Sequence, residues 1–309
     1  MADLSFRATI KPVEVEELVD LFVHRPIAHL IARASYATPI TPDQLTVLSM
    51  IVGLASAACI VASVTRGPSM LATGGLLLIA SAVVDCSDGQ LARMRQSQSR
   101  YGRMLDGAVD AIVQISVIPA VMFYLAARHR DVPAAAAFWV LLTLVAAVTG
   151  TMHTSLYDQF KNVYLSQTQS SRREDSEDPE DLAAIWTAMK ARGAGLSERL
   201  RFELYRSYVE RQRAQLRAVD PNVPGRYRDL PDYSEAGAAR YRALNRRVMR
   251  AWSFFGVGTH IFGLGLALLV DRVEVYVVAR AVLYNVALAA LTPLQRRASR
   301  AYFSAPEAP

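Results

Sequence analysis

Six stretches of this chain are apolar enough, and long enough, to be membrane spans. Leu45–Val64, Met70–Val84, Leu105–Ala127, Ala134–Ser155, Val248–Val270 and Val273–Thr292 each reach, or nearly reach, the length at which a helix crosses ~30 Å of hydrocarbon. Met70–Val84 is short by itself and takes the polar turn after Val84 to complete its span. Hydrocarbon offers the backbone no hydrogen-bond partner, so each span has to be a helix. Hydrophobic residues are 52% of the 309, and their arrival in blocks argues against a soluble globular chain. The sequence predicts an all-α integral membrane protein, a six-transmembrane-helix bundle. Its start, "MADLSFRATIKPVEVEELVD", carries acids where the apolar stretch of a signal peptide would stand, so no signal peptide is expected.

The connections set the orientation. Arg66, Arg128, Arg130 and Arg272 lie on one side, whereas Arg7, Lys11, Arg25, Arg33, Arg93, Arg95, Arg100, Arg103, Arg296, Arg297 and Arg300 crowd the other. The positive-inside rule places the crowded side and both termini in the cytoplasm. In the N-terminal segment, 1–42, Val15, Leu18, Phe22, Ile27, Leu30 and Ile31 fall toward one side, with Pro26 interrupting. This predicts an amphipathic helix lying in the cytoplasmic interface. Residues 43–156 hold the first four spans, with Thr41 or Asp43 as the cap and Pro42 in the first turn.

Residues 157–247 break the membrane pattern. They open with "SSRREDSEDPED", a solvated charge cluster, and continue into a helix with Leu196, Leu200, Leu204, Tyr208 and, less regularly, Leu216 along one stripe. "PNVPGRYRDLPDYSEAG" is a loop, and a further helix runs from Glu235 into the fifth span. The segment is expected to be a helical cytoplasmic insert packing on the membrane domain, without a nucleotide loop, metal cluster or nucleophile motif. Residues 248–293 carry the last two spans and 294–309 a cytoplasmic tail. The net charge of +6 suits an anionic membrane face or a phosphate-bearing substrate, and no aromatic–basic module points to nucleic acid. Cys59 and Cys86 suggest no disulfide.

The chemistry concentrates in "VVDCSDGQLARMRQSQSRYGRMLDGAVDAIV", residues 83–113. Four carboxylates at the edge of hydrocarbon are costly without a ligand. On helices, Asp85 and Asp88 share a face at i, i+3, and Asp106 and Asp110 share one at i, i+4. If the second and third spans run antiparallel, the two pairs face each other near the cytoplasmic mouth. Four like charges that close do not all stay ionised unaided, and a divalent cation resolves the conflict. All-oxygen ligation favours Mg²⁺ or Mn²⁺ over Zn²⁺, and no His or Cys ligand set competes, since Cys86 is expected to face away from its flanking aspartates. Gly89 and Ala92 let a ligand approach the helix, and Gly102 leaves room one turn before Asp106. Arg93 supplies a fork for phosphate oxygens, with positive potential added by Arg95, Arg100 and Arg103. Metal plus arginine around a phosphoryl displacement needs positioning and charge neutralisation, without a covalent enzyme intermediate.

Asp85-x-x-Asp88-Gly89-x-x-Ala92-Arg93, eight residues, Gly102-x-x-x-Asp106-x-x-x-Asp110 resembles the signature of the CDP-alcohol phosphotransferase family at every fixed position. "TPDQLT" is similar to the family's TPN-x-x-T, with Asp43 in the Asn position; the 157–247 insert is not covered. The resemblance implies a homodimeric six-helix enzyme that moves a phosphate-linked group from a CDP-alcohol to a hydroxyl acceptor and releases CMP. It implies Asp85, Asp88 and Asp106 as metal ligands for Mg²⁺ or Mn²⁺, two ions, and Asp110 as a ligand or as the catalytic base. It also implies that Gly89, Ala92 and Arg93 line the CDP part of the donor. CDP-diacylglycerol is the expected donor because the site opens beside the bilayer, which would place the chain in phospholipid biosynthesis; a soluble CDP-polyol is the alternative. The acceptor is not legible: Ala111 follows Asp110 where a glycerol-phosphate enzyme would carry Lys.

Two rival classes fit less well. A divalent-metal transporter would want its carboxylates near the bilayer midplane, and these lie at one face. An intramembrane prenyltransferase would want a second aspartate-rich motif and more spans. His153 and His260 read as buried hydrogen-bonding partners, Arg280 and Asn285 as facing the bundle interior unless Arg280 snorkels outward, and Tyr157, Asp158 and Lys161 as candidate acceptor contacts.

Overall fold

A computed structural model describes residues 5–170, 179–193, 195–226 and 229–304, and among these every regular element is a helix. They are α1 (Arg25–Tyr36), α2 (Pro42–Arg66), α3 (Pro68–Met94), α4 (Arg100–Arg128), α5 (Pro133–Thr168), α6 (Pro179–Ala191), α7 (Leu196–Val219), α8 (Glu235–Trp252), α9 (Val257–Leu269), α10 (Val273–Val278) and α11 (Tyr284–Phe303). Among the described residues, five helical stretches are long and apolar enough to cross a membrane, or six if α8 and α9 count as one span broken at Gly256. The expected unbroken fifth span, Val248–Val270, is therefore interrupted, and residues 253–255 form a single 3₁₀ turn. The break has a polar cause. The Glu17 carboxylate accepts hydrogen bonds from the backbone N–H of Gly258 and Thr259, the latter at 2.6 Å, and so caps a fresh helix N-terminus.

The chain divides into two compact units. One comprises Met1–Thr151 with Ser253–Val286, the other Met152–Trp252 with Ala287–Pro309. In the first, α2 packs on α3 and α4, and α3 packs on α9 and α1. Ile60, Leu71, Leu78, Val109, Val113, Val117, Leu125, Leu268 and Val273 form the buried core of this bundle. Small residues set the helix spacing, as expected where lipid removes the hydrophobic drive between helices. A Cβ on Gly75 would collide with the Gly265 carbonyl of α9, so α3 and α9 cross with backbone against backbone. Ser56 Oγ donates to Gly74 O at 2.7 Å and Ser81 Oγ to Ser49 O at 2.8 Å, stitching α2 to α3. Ile51, Ile115, Leu141, Val148 and Leu283 face outward, as lipid-facing side chains do.

α2 starts as its sequence predicts: Thr41 caps it in a reciprocal box with Gln44, and Pro42 fills the first turn. In the N-terminal segment Pro26 does not interrupt a helix but sits in the first turn of α1, directly after a wide helical turn at Asp20–His24. Its expected apolar side divides. Phe22, Ile27 and Leu30 are exposed, while Val15 is buried together with the polar residues Glu16, Glu17, Asp20, His24 and Arg25. Polar residues thus pack inward beside Val15 and Ile31, while Phe22, Ile27 and Leu30 turn out.

In the second unit, Trp252 stacks on Phe160 and donates through Nε1 to Gln295 Oε1 at 2.9 Å. The Arg296 guanidinium closes the end of α7 by donating to the Ala218 and Val219 carbonyls. Of the predicted α7 stripe, Leu216 is buried; the side chains of Leu196, Leu200, Leu204 and Tyr208 lie outside the described residues, as does the charge cluster at 171–178.

Candidate active site

α3 runs without a break from Pro68 through the first two aspartates to Met94, and α4 carries the second two from its first turns inward. The connection works because Ser99 caps α4, its Oγ accepting from the Gly102 N–H at 2.8 Å. The structure brings Asp85, Asp88 and Asp106 together: one carboxylate oxygen from each lies within 4.8 Å of the other two. Asp110 stands one turn beyond Asp106 on the same face of α4, half-buried and outside that group of three.

The donor set suits a hard divalent cation. Three carboxylates converge inside a helical bundle, and Asp85 Oδ1 is buried without a hydrogen-bond partner among the described residues. A buried anionic oxygen left that way costs several kcal/mol, on the order of a lost charged hydrogen bond or more. Oxygen-only ligation fits Mg²⁺ or Mn²⁺.

Small residues and one arginine stand beside the carboxylates. A Cβ on Gly89 would sit 3.5 Å from the Arg93 guanidinium, so that head folds back over the bare backbone of Gly89. Arg93 Nε donates to the Thr9 carbonyl at 2.6 Å, which fixes its reach. Ala92 lies on the same stretch of α3 and is half-buried. A Cβ on Gly102 would meet Ser99 Oγ at 3.1 Å and Asp43 Oδ1 at 3.6 Å, so the small residue accommodates its own cap and the start of α2. Arg95 has a different task from the one its charge suggests. Its guanidinium donates to the carbonyls of Ile40 and Ser35, both at 2.6 Å, of Thr38 at 2.8 Å and of Tyr36 at 3.1 Å, locking the α1–α2 connection. The side chains of Arg100 and Arg103 lie outside the described residues.

Three contributors escape a reading of the motif alone. Thr46, the last residue of "TPDQLT", donates through Oγ1 to Asp88 Oδ2 across the α2–α3 contact. Lys11 lies close enough to Asp106 for their charges to interact. Thr9 supplies the carbonyl that holds Arg93. Thr46 had a signal, its place in a recognisable hexapeptide; Thr9 and Lys11 had none, because only the fold brings the N-terminal segment to α3 and α4. A fourth finding corrects the expectation that no His or Cys set competes: Asp20, His24 and Cys86 also place one donor atom each within 4.8 Å of one another. Cys86 does face away from the aspartates, but toward a histidine 62 positions earlier in the chain.

The remaining polar residues divide cleanly. Arg280 is buried and stacked over the Tyr284 ring at 5.1 Å, so it does not snorkel outward, and Asn285 donates to Thr149 Oγ1 at 3.2 Å. His260 packs edge-on against Tyr284, and His153 is fully buried. Lys161 pairs with Asp158 and caps the Tyr157 ring at 4.7 Å.

Comparison with known proteins bears on four helices, α2 to α5. Residues 39–168 match the model of the CDP-alcohol phosphatidyltransferase family. Over 117 residues the chain is 31% identical to a protein of Aquifex aeolicus (strain VF5) described as a bifunctional IPC transferase and DIPP synthase. The match covers 38% of this chain and 24% of that relative, so it concerns one part of each protein.

Proposed function

We propose that this chain, which carries a CDP-alcohol phosphatidyltransferase domain in residues 39–168, is a membrane-embedded transferase of substituted phosphate groups. Its donor is a CDP-alcohol, CDP-diacylglycerol in the reading favoured here, and its acceptor is an alcohol. The observation that carries this reading is the convergence of Asp85, Asp88 and Asp106 with a buried, unsatisfied oxygen, beside Arg93, on helices long enough to span a bilayer.

Asp85, Asp88 and Asp106 would hold Mg²⁺ or Mn²⁺, two ions if Asp110 joins them. When bound, the cation neutralises the diphosphate and makes CMP a better leaving group. Arg93 forks onto phosphate oxygens from a position set by the Thr9 carbonyl. Gly89 and Ala92 keep the helix face low so that the donor can lie against it, and Gly102 keeps α4 close to its cap. Thr46 holds the Asp88 carboxylate in one orientation. Asp110 takes the proton of the acceptor hydroxyl as its oxygen bonds to the alcohol-bearing phosphorus and the bond from that phosphorus to the CMP oxygen breaks.

The many arginines flanking α3 and α4 support a site and termini that face the cytoplasm, and the family resemblance supports a homodimer. The deciding assay incubates purified protein with CDP-diacylglycerol, Mg²⁺ and a panel of alcohols and follows CMP. Release that depends on one alcohol names the acceptor; no release with any alcohol sinks the phosphatidyl reading. A second reading takes a soluble CDP-polyol as donor, since the relative is named a bifunctional IPC transferase and DIPP synthase and not a CDP-diacylglycerol enzyme. The same assay with CDP-polyols separates the two.

A further inference from the structure

Back to back with the acidic cluster, on the opposite side of α3, lies a second group of metal-ligating side chains that the proposed transfer reaction does not use. Asp20 and His24 sit in the wide helical turn that precedes α1, and Cys86 sits on α3 between the aspartates. A carboxylate oxygen, an imidazole nitrogen and a thiol sulfur lie within 4.8 Å of one another. Asp20 and His24 are buried and Cys86 is half-buried.

Packing alone accounts for part of this arrangement. The His24 Nδ1 and Asp20 Oδ1 atoms are 2.9 Å apart, an ordinary buried pair. His24 Nε2 has no hydrogen-bond partner among the described residues although His24 is fully buried, so the imidazole still has a nitrogen to offer. A second orphan lies next to it in the sequence logic of the helix. Gln90 is one turn beyond Cys86 on the same face of α3, is fully buried, and donates through Nε2 to the carbonyl of Arg25, the residue after His24. Its Oε1 also has no partner. Both orphans can offer a lone pair. Each is unfavourable if left alone, and a cation is the ligand that satisfies lone pairs from several directions at once.

We propose that Asp20, His24 and Cys86 form a second divalent-cation site, of the mixed oxygen, nitrogen and sulfur type that takes Zn²⁺, with the Gln90 carbonyl offered for the remaining position. The chemistry of the donors separates it from the first site. Thiolate and imidazole select a borderline-soft ion, and the carboxylate trio selects a hard one. Tetrahedral Zn²⁺ with bonds of about 2.0–2.3 Å sets its ligand atoms roughly 3.3–3.8 Å apart, so a spread of at most 4.8 Å closes by about 1.5 Å or less. Binding releases the thiol proton to water and leaves a thiolate on the ion. The ion would fasten the N-terminal segment, which also supplies Thr9 and Lys11 to the acidic site, to α3 one residue away from Asp85. Its role is to position, and it lies outside the transfer chemistry.

The test uses full-length protein in detergent, stripped with chelator and then given Zn²⁺ with Mg²⁺ in large excess to occupy the carboxylate trio. The wild-type chain and Cys59→Ser should each retain one Zn²⁺ after desalting. With Co²⁺ in place of Zn²⁺ they should show the intense near-ultraviolet band of a thiolate–cobalt bond. Cys86→Ser and His24→Gln should lose the retained Zn²⁺, and Cys86→Ser should lose the band. Wild-type protein that retains no Zn²⁺ and shows no such band overturns the proposal without reference to any variant, so a variant that fails to fold does not protect it. Zn²⁺ and band that survive Cys86→Ser overturn it equally.

Discussion

The two ends of α4 carry charge in opposite ways. At its far end Arg128 pairs with Asp271 and, through Nε at 3.0 Å, with Glu274; the Tyr124 hydroxyl donates to Asp271 at 2.6 Å. His129 Nε2 also lies 3.1 Å from Glu274, and its ring stacks on Trp139. Asp271 and Glu274 each meet a cation at the end of α4, and the result ties α4 to the start of α10 and the turn before it. At the near end three carboxylates converge, and one of their buried oxygens has no hydrogen-bond partner among the described residues. Folding alone would select against the second arrangement. A set of paired charges explains itself as structure, whereas like charges that converge and leave a buried oxygen unsatisfied point to something that binds.

The sharpest way to break that contrast is to remove what the near end binds. With Mg²⁺ and Mn²⁺ chelated, CMP release should cease, and Asp88→Asn should lower it by about 10³-fold or more while the protein stays monodisperse in detergent. Near-normal turnover in Asp88→Asn, measured by CMP release, would show that the converging acids are a polar helix junction. The next effect is smaller and of a different kind. Asp110→Asn should cut turnover by ~10²–10⁴-fold, the usual worth of a general base, with donor binding in Mg²⁺ close to wild type. Equal loss of metal and donor binding in Asp110→Asn and Asp88→Asn would make Asp110 a ligand first.

Much of this was legible from the chain. The spans follow from apolar blocks, because hydrocarbon leaves the backbone only one choice. The four aspartates follow from spacing, because i, i+3 and i, i+4 fix a common face whatever packs around it. What the sequence hid was pairing at a distance. Nothing local says that Arg95 is spent on four carbonyls while Arg93, two residues before it, folds over Gly89. Amphipathic patterning placed the large apolar residues of the N-terminal segment on one side, but it could not say that Phe22, Ile27 and Leu30 turn outward. Polar residues are buried in the same segment, where Glu17 caps α9 and Glu16 accepts from Arg25 Nε at 2.8 Å. The break at Gly256 was hidden for the same reason, since its cause lies more than two hundred residues earlier.

Thr46 offers a finer probe of the near end. Thr46→Val keeps the shape and removes the hydroxyl that holds Asp88, so the carboxylate stays but loses its fixed orientation. Partners that orient a metal ligand typically contribute ~10–100-fold in metal affinity. The Mg²⁺ concentration for half-maximal CMP release should therefore rise by about that factor, with turnover at saturating Mg²⁺ much less affected. A fall in turnover that Mg²⁺ does not rescue would assign Thr46 to the substrate instead.

The smallest expected effect belongs to the far end, and its smallness is the point. Glu274→Gln keeps an oxygen that can accept from Arg128 or His129 but removes the charge, and Arg128 retains Asp271. Arg128 is a third exposed and Asp271 slightly more, so the network is open to screening. Pairs of this kind contribute about 0–1 kcal/mol. The variant should unfold in detergent a few degrees below wild type at most, on the order of 2–4 °C for a chain of this size, and the difference should shrink in high salt. Its Mg²⁺ requirement and its CMP release at low temperature should not move. A tenfold change in either would mean that α4 transmits strain from one end to the other, and the division between paired structure and unpaired function would then fail along the very helix that displays it.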